Sequence, residues 1–306
     1  MFDIIIVGAG PAGLTAAIYG CRAGKRVLLL EGGSYGGQIT LSPRVENYPG
    51  FSQISGSELA DRLLSQTLAL GAETDFGQVT GICVQASHFV LTLEDGGSVA
   101  GRSVILATGT RHRRLGLPGE DALTGAGISF CAVCDGAFFA GLPVAVVGGG
   151  SAALQDALLL SSTAQTVHLI HRRSAFRAEA CLVEQLRARS NVIFHTPATI
   201  QALYGEDALT GLLLADTETG AETHLDVSGL FVAIGQEPQN APFADLARTD
   251  AAGYLLTDDA LATSVPGLFA AGDCRAKTVR QLTTAVADGT IAAISACAYL
   301  DSSAGQ

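Results

Sequence analysis

Two cysteines separated by two residues, Cys131 and Cys134, stand directly before an acid, Asp135. That spacing lets the sulfurs close a small disulfide, and exchange at a disulfide is carried by thiolates. Asp135 is placed to take and return a proton as the dithiol forms and breaks. A structural zinc would use the same pair, but needs two further Cys or His ligands at short spacing. None lies between Asp135 and Gly150, and the later His168 and His171 belong to a different motif. No metal is therefore expected, and burial of both cysteines as small apolar side chains is the remaining alternative. Cys21, Cys83, Cys181, Cys274 and Cys297 have no close sequence partner and are read as small buried hydrophobes.

A redox disulfide needs an electron source, and two glycine clusters supply candidate nucleotide loops. Gly8-Ala9-Gly10-Pro11-Ala12-Gly13 follows the apolar run Phe2 to Val7, and Gly148-Gly149-Gly150-Ser151-Ala152-Ala153 follows Pro143 to Val147. Each cluster opens an Ala/Leu-rich stretch of helical character and leads to another β-branched run, which is the context a dinucleotide fingerprint requires. Glycines there let backbone amides approach a pyrophosphate at a helix N-terminus. The end of the next strand discriminates between nucleotides. In the first unit it is Glu31, whose carboxylate accepts from ribose hydroxyls and repels a 2′-phosphate, so FAD or NAD fits and NADP does not. In the second it is His171-Arg172-Arg173, with Arg177 a turn later, a basic cluster suited to the 2′-phosphate of NADPH. A solvated basic turn is the plainer reading, but the chain has only 18 Lys and Arg, so their gathering here is informative. FAD in the first unit and NADPH in the second is the natural allocation. Near the C-terminus, Gly272-Asp273 ends another strand, where Asp273 is read as a ribityl or phosphate-linked ligand, with a helix N-cap as the alternative.

These motifs require two βαβ units. The fold class expected is α/β, with two doubly wound Rossmann-like nucleotide-binding domains, the second inserted into the first. Residues 1–113 and 241–306 would form the FAD-binding domain, and 114–240 the NADPH-binding domain carrying the Cys131–Cys134 pair. Linkers are expected at Arg111 to Gly119 and Gln236 to Pro242, a helix through Arg280 to Leu300, and a frayed tail from Asp301 to Gln306. The disulfide and the NADPH loop thus share one domain while the flavin loop lies in the other, so the domains are expected to move between half-reactions. Composition agrees. Of 306 residues 48% are hydrophobic and 15% charged, enough for large cores. The net charge of −11 argues against nucleic acid as a partner. Phe2 to Val7 reads as a strand rather than a signal peptide, and no apolar run is read as a membrane span, so a cytoplasmic protein is expected.

Taken together the motifs resemble the low-molecular-weight, bacterial-type NADPH-dependent thioredoxin reductases over nearly the whole chain. The resemblance is carried by Gly8 to Gly13, Gly36-Gly37-Gln38, Glu46-Asn47-Tyr48-Pro49-Gly50, Ala107-Thr108-Gly109, Cys131 to Asp135, His171-Arg172-Arg173, Gly272-Asp273 and Arg280-Gln281. It implies that FAD is held by Gly8, Gly10, Pro11, Ala12, Gly13 and Glu31, with Gly37, Gln38, Asn47, Thr108 and Gly109 beside them. From the C-terminal part it adds Gly272, Asp273, Arg280, Gln281 and Leu282. For NADPH it implies Gly148, Gly150, Ser151, Ala152 and Gln155 at the loop, Ile234 and Gly235 at a neighbouring strand end, and His171, Arg172, Arg173 and Arg177 at the 2′-phosphate. Cys131 and Cys134 would be the redox disulfide and Asp135 its acid/base. The resemblance further implies a homodimer acting on thioredoxin or a thioredoxin-like protein. The chain departs from the pattern at Ala152 and Gln155, where the family usually shows a hydroxyl and an acid. That departure keeps open a ferredoxin-fed reductase, a dithiol oxidase, and a flavin redox sensor. The larger disulfide reductases carry a catalytic His in a C-terminal interface domain, whereas this sequence has no His after His224.

Overall fold

The computed structural model describes residues 1–85 and 88–303. The first part of the chain runs β1 (Phe2–Val7), α1 (Pro11–Arg22), β2 (Val27–Glu31), α2 (Gly56–Ala69), β3 (Glu73–Phe76), β4 (Val79–Gln85), β5 (His88–Leu93) and β6 (Ser98–Leu106). After β7 (Thr110–His112) come α3 (Glu120–Leu123), β8 (Ile128–Ser129), α4 (Ala132–Asp135), β9 (Pro143–Val147), α5 (Ser151–Leu160) and β10 (Thr166–Ile170). There follow α6 (Ala180–Arg187), β11 (Val192–His195), β12 (Ala198–Tyr204), β13 (Gly211–Asp216), β14 (Glu222–Asp226) and β15 (Gly229–Val232). The chain ends with β16 (Gln236–Pro238), β17 (Leu268–Ala270) and α7 (Leu282–Ser303).

Two compact units result. Met1–Arg111 with Glu237–Gln306 form unit 1, and His112–Gln236 form unit 2, so the chain divides slightly before each of the expected boundaries. The two crossings run side by side, with β7 and β16 paired as a two-stranded ribbon.

Unit 1 is built on a sheet of order β3-β2-β1-β6-β5-β4, with β17 added along the second half of β6. The pairs β2–β3, β1–β2, β1–β6 and β6–β17 are parallel, while β4–β5 and β5–β6 are antiparallel. The continuous apolar run of β1 follows from cover on both faces. Ile4 and Ile6 face a core shared with Leu14, Ala16 and Ala293, whereas Ile5 and Val7 face one shared with Leu91, Phe243 and Leu268. Unit 2 repeats the device in an all-parallel sheet of order β11-β10-β9-β15-β8. On β9, Val144 and Val146 join Leu154 and Leu160 of α5, and Ala145 and Val147 face the other side with Leu212 and Leu214 of the antiparallel β12-β13-β14 sheet.

Several expectations need correction. By length and composition α7 is apolar enough to cross a membrane. Instead Ala285, Ala292, Ala293 and Ala296 bury one face of it in the core of unit 1, and Asp288 is buried on that face. Its helix begins at Leu282, so Asp273 is not its N-cap and lies in a separate turn, Gly272–Cys274. The tail is helical through Ser303, and the rest of the segment expected to fray lies outside the described residues. Of the five cysteines expected to be buried, Cys274 and Cys297 are, Cys21 is half-buried, and Cys83 and Cys181 are exposed. Cys83 lies in the exposed end of β4 with Val84 and Gln85, and Cys181 lies in the first turn of α6, whose buried contact is made by Leu186.

Candidate active site and nucleotide loops

Cys131 and Cys134 are joined by a disulfide with an S–S distance of 2.07 Å. β8 delivers the chain to Cys131, which caps the short helix α4: the Cys134 amide donates to Cys131 Sγ at 3.2 Å. Both cysteines are half-buried and Val133 between them is exposed, so the pair is within reach of another molecule. Ser129, a residue the sequence reading missed, organises the acid. Its hydroxyl donates to Asp135 Oδ2 at 2.6 Å and accepts from the Cys131 amide at 3.1 Å. Burial pushes the Asp135 carboxyl above its ordinary range, and the Ser129 bond only partly offsets this. Its Oδ1 is buried with no hydrogen-bond partner among the described residues. A carboxyl held toward its protonated form, one residue from a disulfide sulfur, has the character of a proton donor. No period or spacing signals Ser129; only the turn from β8 into α4 brings it back against Asp135.

In unit 1 the Gly8-to-Gly13 loop joins β1 to α1. A Cβ at Gly13 would lie 1.8 Å from the Gly8 carbonyl oxygen, so this closeness of strand to helix admits only glycine there. Pro11 opens α1 and Ala12 follows it in the first turn. Glu31 holds the loop: Oε2 accepts from the Ala9 amide at 2.7 Å and Oε1 from the Gly33 amide at 2.8 Å. Each oxygen keeps a lone pair for a ribose hydroxyl. Gly36 and Gly37 close over the loop with positive φ, the Gly36 amide donating to the Ala9 carbonyl at 2.8 Å. Beside them Gln38 donates to the Thr110 carbonyl. The C-terminal residues come to the same unit. Asn47 Nδ2 donates to Gln281 Oε1 at 3.4 Å, Leu282 joins the small cluster of Val45, Ile54 and Leu59, and Arg280 lies 4.2 Å over the Tyr254 ring. Asn240, also missed in sequence, ties three segments together: Nδ2 donates to the Gly253 and Cys274 carbonyls, and Oδ1 accepts from Thr108. Gly109 follows Thr108 with a φ of 65° and open space at its Cα. In the Gly272-to-Leu282 segment the buried Asp273 Oδ1 and Arg280 Nε have no directed hydrogen bond among the described residues. A glycine-lined loop, an acid at the ribose position and orphaned polar atoms in the Gly272-to-Leu282 segment suit FAD.

The second loop has the same plan with different chemistry. Gly148 has no room for a Cβ, which would lie 2.4 Å from the Ala233 carbonyl oxygen on the strand end that continues into Ile234 and Gly235. Gly150 precedes α5 in extended conformation, and Ser151, Ala152 and Gln155 follow on its first turns, Ala152 and Gln155 being exposed. Gly149 is where the units differ most. A Cβ there would lie 2.1 Å from the His171 ring, so the ring lies directly against the loop. His171 follows β10 as Glu31 ends β2, yet it is buried, stacked on Phe176 at 5.3 Å, with Nε2 making no hydrogen bond among the described residues. Burial above all lowers its pKa, opposed by a backbone bond with Ala175 and aided by the adjacent arginines, so the ring is held toward its neutral form. The sequence expectation grouped it with Arg172, Arg173 and Arg177; the structure separates it from them, since the three arginines are exposed. The Arg177 amide donates to the Gly149 carbonyl at 2.8 Å, which keeps the basic segment beside the loop. Exposed guanidiniums beside a glycine loop fit a dinucleotide carrying a 2′-phosphate.

The family model for pyridine nucleotide-disulphide oxidoreductases matches residues 2–289. The thioredoxin reductase of Treponema pallidum is 44% identical over 98% of this chain and 97% of its own length. That of Mycoplasma genitalium is 43% identical over 96% and 94%. The chain belongs to the thioredoxin reductases. Among solved structures, the thioredoxin reductase of Streptococcus pyogenes superposes with a TM-score of 0.95 at 40% identity, covering 99% of both chains. That of Lactococcus lactis in its FR conformation gives 0.69 at 38% identity, covering 99% of this chain and 100% of its own. Thioredoxin reductases of the pyridine nucleotide-disulphide oxidoreductase family use FAD and NADPH, and both loops described above suit those groups.

Proposed function

We propose that this thioredoxin reductase transfers two electrons from NADPH, by way of FAD, to the Cys131–Cys134 disulfide and on to oxidised thioredoxin or a thioredoxin-like protein. NADPH, a proton and the substrate disulfide give NADP⁺ and the substrate dithiol. The observation that carries this reading is the division of parts: a half-buried disulfide with a raised-pKa acid and a basic nucleotide loop in unit 2, and an acid-bearing nucleotide loop in unit 1. FAD, when bound, supplies the two-electron relay between nicotinamide and disulfide. The chain's own residues do the rest. Glu31 excludes a 2′-phosphate from the first loop, and Arg172, Arg173 and Arg177 select for it at the second. Asp135 gives a proton to the cysteine sulfur released as the disulfide opens, and the remaining thiolate attacks the substrate disulfide, closing Cys131–Cys134 again as the second substrate thiol leaves. Residues 114–240 serve as the NADPH domain and the remainder as the FAD domain. A homodimer in the cytoplasm, with no part for nucleic acid or membrane, completes the reading. The net charge of −11 supports the part of it that concerns nucleic acid.

The test is an anaerobic titration of the flavin-loaded protein with NADPH and, separately, NADH, followed by flavin absorbance. Bleaching at far lower NADPH than NADH is the expected result. No bleaching by either would make Ala152 and Gln155 functional departures and point to a ferredoxin donor or a dithiol oxidase.

A further inference from the structure

The buried polar cluster behind the Gly272-to-Cys274 turn has no part in the roles assigned so far. Asp288 sits in the middle of α7, 4% exposed, in a helix whose other buried residues are almost all Ala, Gly, Cys and Leu. A carboxylate there needs strong compensation. It has four donors: Gly272 N at 3.0 Å, Arg275 Nε and Nη2 at 2.9 Å each, and Lys277 Nζ at 3.1 Å. Burial alone would raise the Asp288 carboxyl, but the Arg275 bonds and the Lys277 charge prevail and hold it below its ordinary range. The Lys277 side chain is itself only 7% exposed, and its ammonium bridges two acids, lying 3.0 Å from Asp273 Oδ1 and 3.1 Å from Asp288 Oδ2. Toward Asp273 the contact is an ion pair without hydrogen-bond alignment, so that buried oxygen has a charge neighbour but no directed donor.

The cluster is also fixed to the first nucleotide loop. A Cβ on Gly289, next to Asp288, would lie 2.2 Å from the Ala12 carbonyl oxygen, and one on Gly272 would lie 2.9 Å from Ala12 Cβ. The helix carrying Asp288 and the turn carrying Asp273 therefore both bear on the first turn of α1. We propose that Asp288 is a positioning residue for FAD: through the Gly272 amide and the Lys277 ammonium it fixes the Asp273 turn in the orientation that receives the cofactor. Asp288 acts through Lys277 and Asp273. Arg275 balances the second acid, so the two acids and two bases sum to no net charge beneath the site.

The inference rests on the assignment of FAD to unit 1 and is tested on the full-length protein. FAD affinity is measured by titrating FAD into the flavin-free protein, beside its unfolding midpoint, for wild type, Asp288→Asn, Lys277→Met and Lys277→Arg. Lys277→Met leaves Asp288 with its Arg275 and Gly272 partners, so it remains informative if Asp288→Asn does not fold. The expected result is a loss of FAD affinity of roughly tenfold or more in Lys277→Met and in any folded Asp288→Asn. The flavin-free unfolding midpoint of Lys277→Met should stay near that of wild type, and Lys277→Arg should recover part of the affinity. Unchanged FAD affinity in Lys277→Met, or a fall matched by an equal loss of flavin-free stability that Lys277→Arg does not reverse, would overturn the positioning role. A wild-type protein that takes up no FAD would overturn the cofactor assignment and this inference with it.

Discussion

The working residues divide into those that do chemistry and those that set their electrical condition. Asp135 is raised by burial and restrained by Ser129. Asp135→Asn should slow reduction of the disulfide by about 10²- to 10⁴-fold in rapid-mixing experiments. Ser129→Ala should move the pH dependence instead. Without the restraining hydroxyl the carboxyl pKa rises further, so the proton-donating form, lost as pH rises through that pKa, persists to higher pH. A profile that shifts downward or stays put would show that Ser129 is a spectator. At the second loop, Arg172→Ala with Arg173→Ala should lower kcat/KM for NADPH by about 10²-fold or more while leaving NADH nearly unchanged. That split separates 2′-phosphate recognition from general damage. The Cys131–Cys134 disulfide was legible in the sequence from side-chain type and short spacing, and the same signals singled out Asp135 and the arginines for the roles proposed. Ser129, Asn240 and Asp288 were not, because each acts on residues that only the fold brings near.

At the scale of elements, the glycine loops carried most of what the sequence revealed. A β-branched run, glycines and an apolar helix favour a parallel βαβ unit, so the parallel strands of both units followed from pattern, whereas the antiparallel β4 and β5 and the β12-β13-β14 sheet did not. What the pattern did not contain was the three-dimensional meaning of single positions. Gly149 looked like one glycine of three, yet it alone makes room for a buried imidazole where unit 1 places a carboxylate. Gly149→Ala should drive His171 off the loop and weaken NADPH binding by roughly tenfold or more, with flavin content unchanged. The double variant Gly149→Ala/His171→Ala should recover part of that loss, as measured by nucleotide titration. The length and apolar composition of α7 likewise do not distinguish a core helix from a membrane span; its buried Asp288 and its close approach to α1 do. Strand histidines give unit 2 a pH limit. His112 and His195 are lowered to about 4, mainly by burial, and His168 Nδ1 lies 2.9 Å from His195 Nε2, a bond in which at least one ring must be neutral to accept. A depressed histidine lends stability above its unfolded pKa that is lost as pH falls toward the folded one. Unit 2 should therefore lose stability between about pH 6.5 and 4, by about 3 kcal/mol through His112 and less through the more open His195. His112→Phe should flatten that loss in thermal unfolding followed against pH.

For the molecule as a whole, function rests on parts carried by different units: the disulfide and the basic loop in unit 2, the acid-bearing loop and the Asp273 turn in unit 1. On the proposed electron path, serving both half-reactions calls for motion between the units. A crosslink that immobilises the two crossings should stop turnover with thioredoxin while leaving one half-reaction intact in single-turnover measurements. Full turnover in the locked protein would end that view. The crossings have another consequence. They are neighbouring strands of one ribbon, so unit 2 departs from unit 1 and returns to it at adjacent points. Residues 112–236 are a cassette, one continuous segment of chain whose two ends meet. Such a segment can be lifted out and the gap between Arg111 and Glu237 closed by a short join, leaving a chain in which β6, β17 and α7 still complete the flavin-side sheet and core. One unit thus stands as a single uninterrupted insertion in the chain of the other.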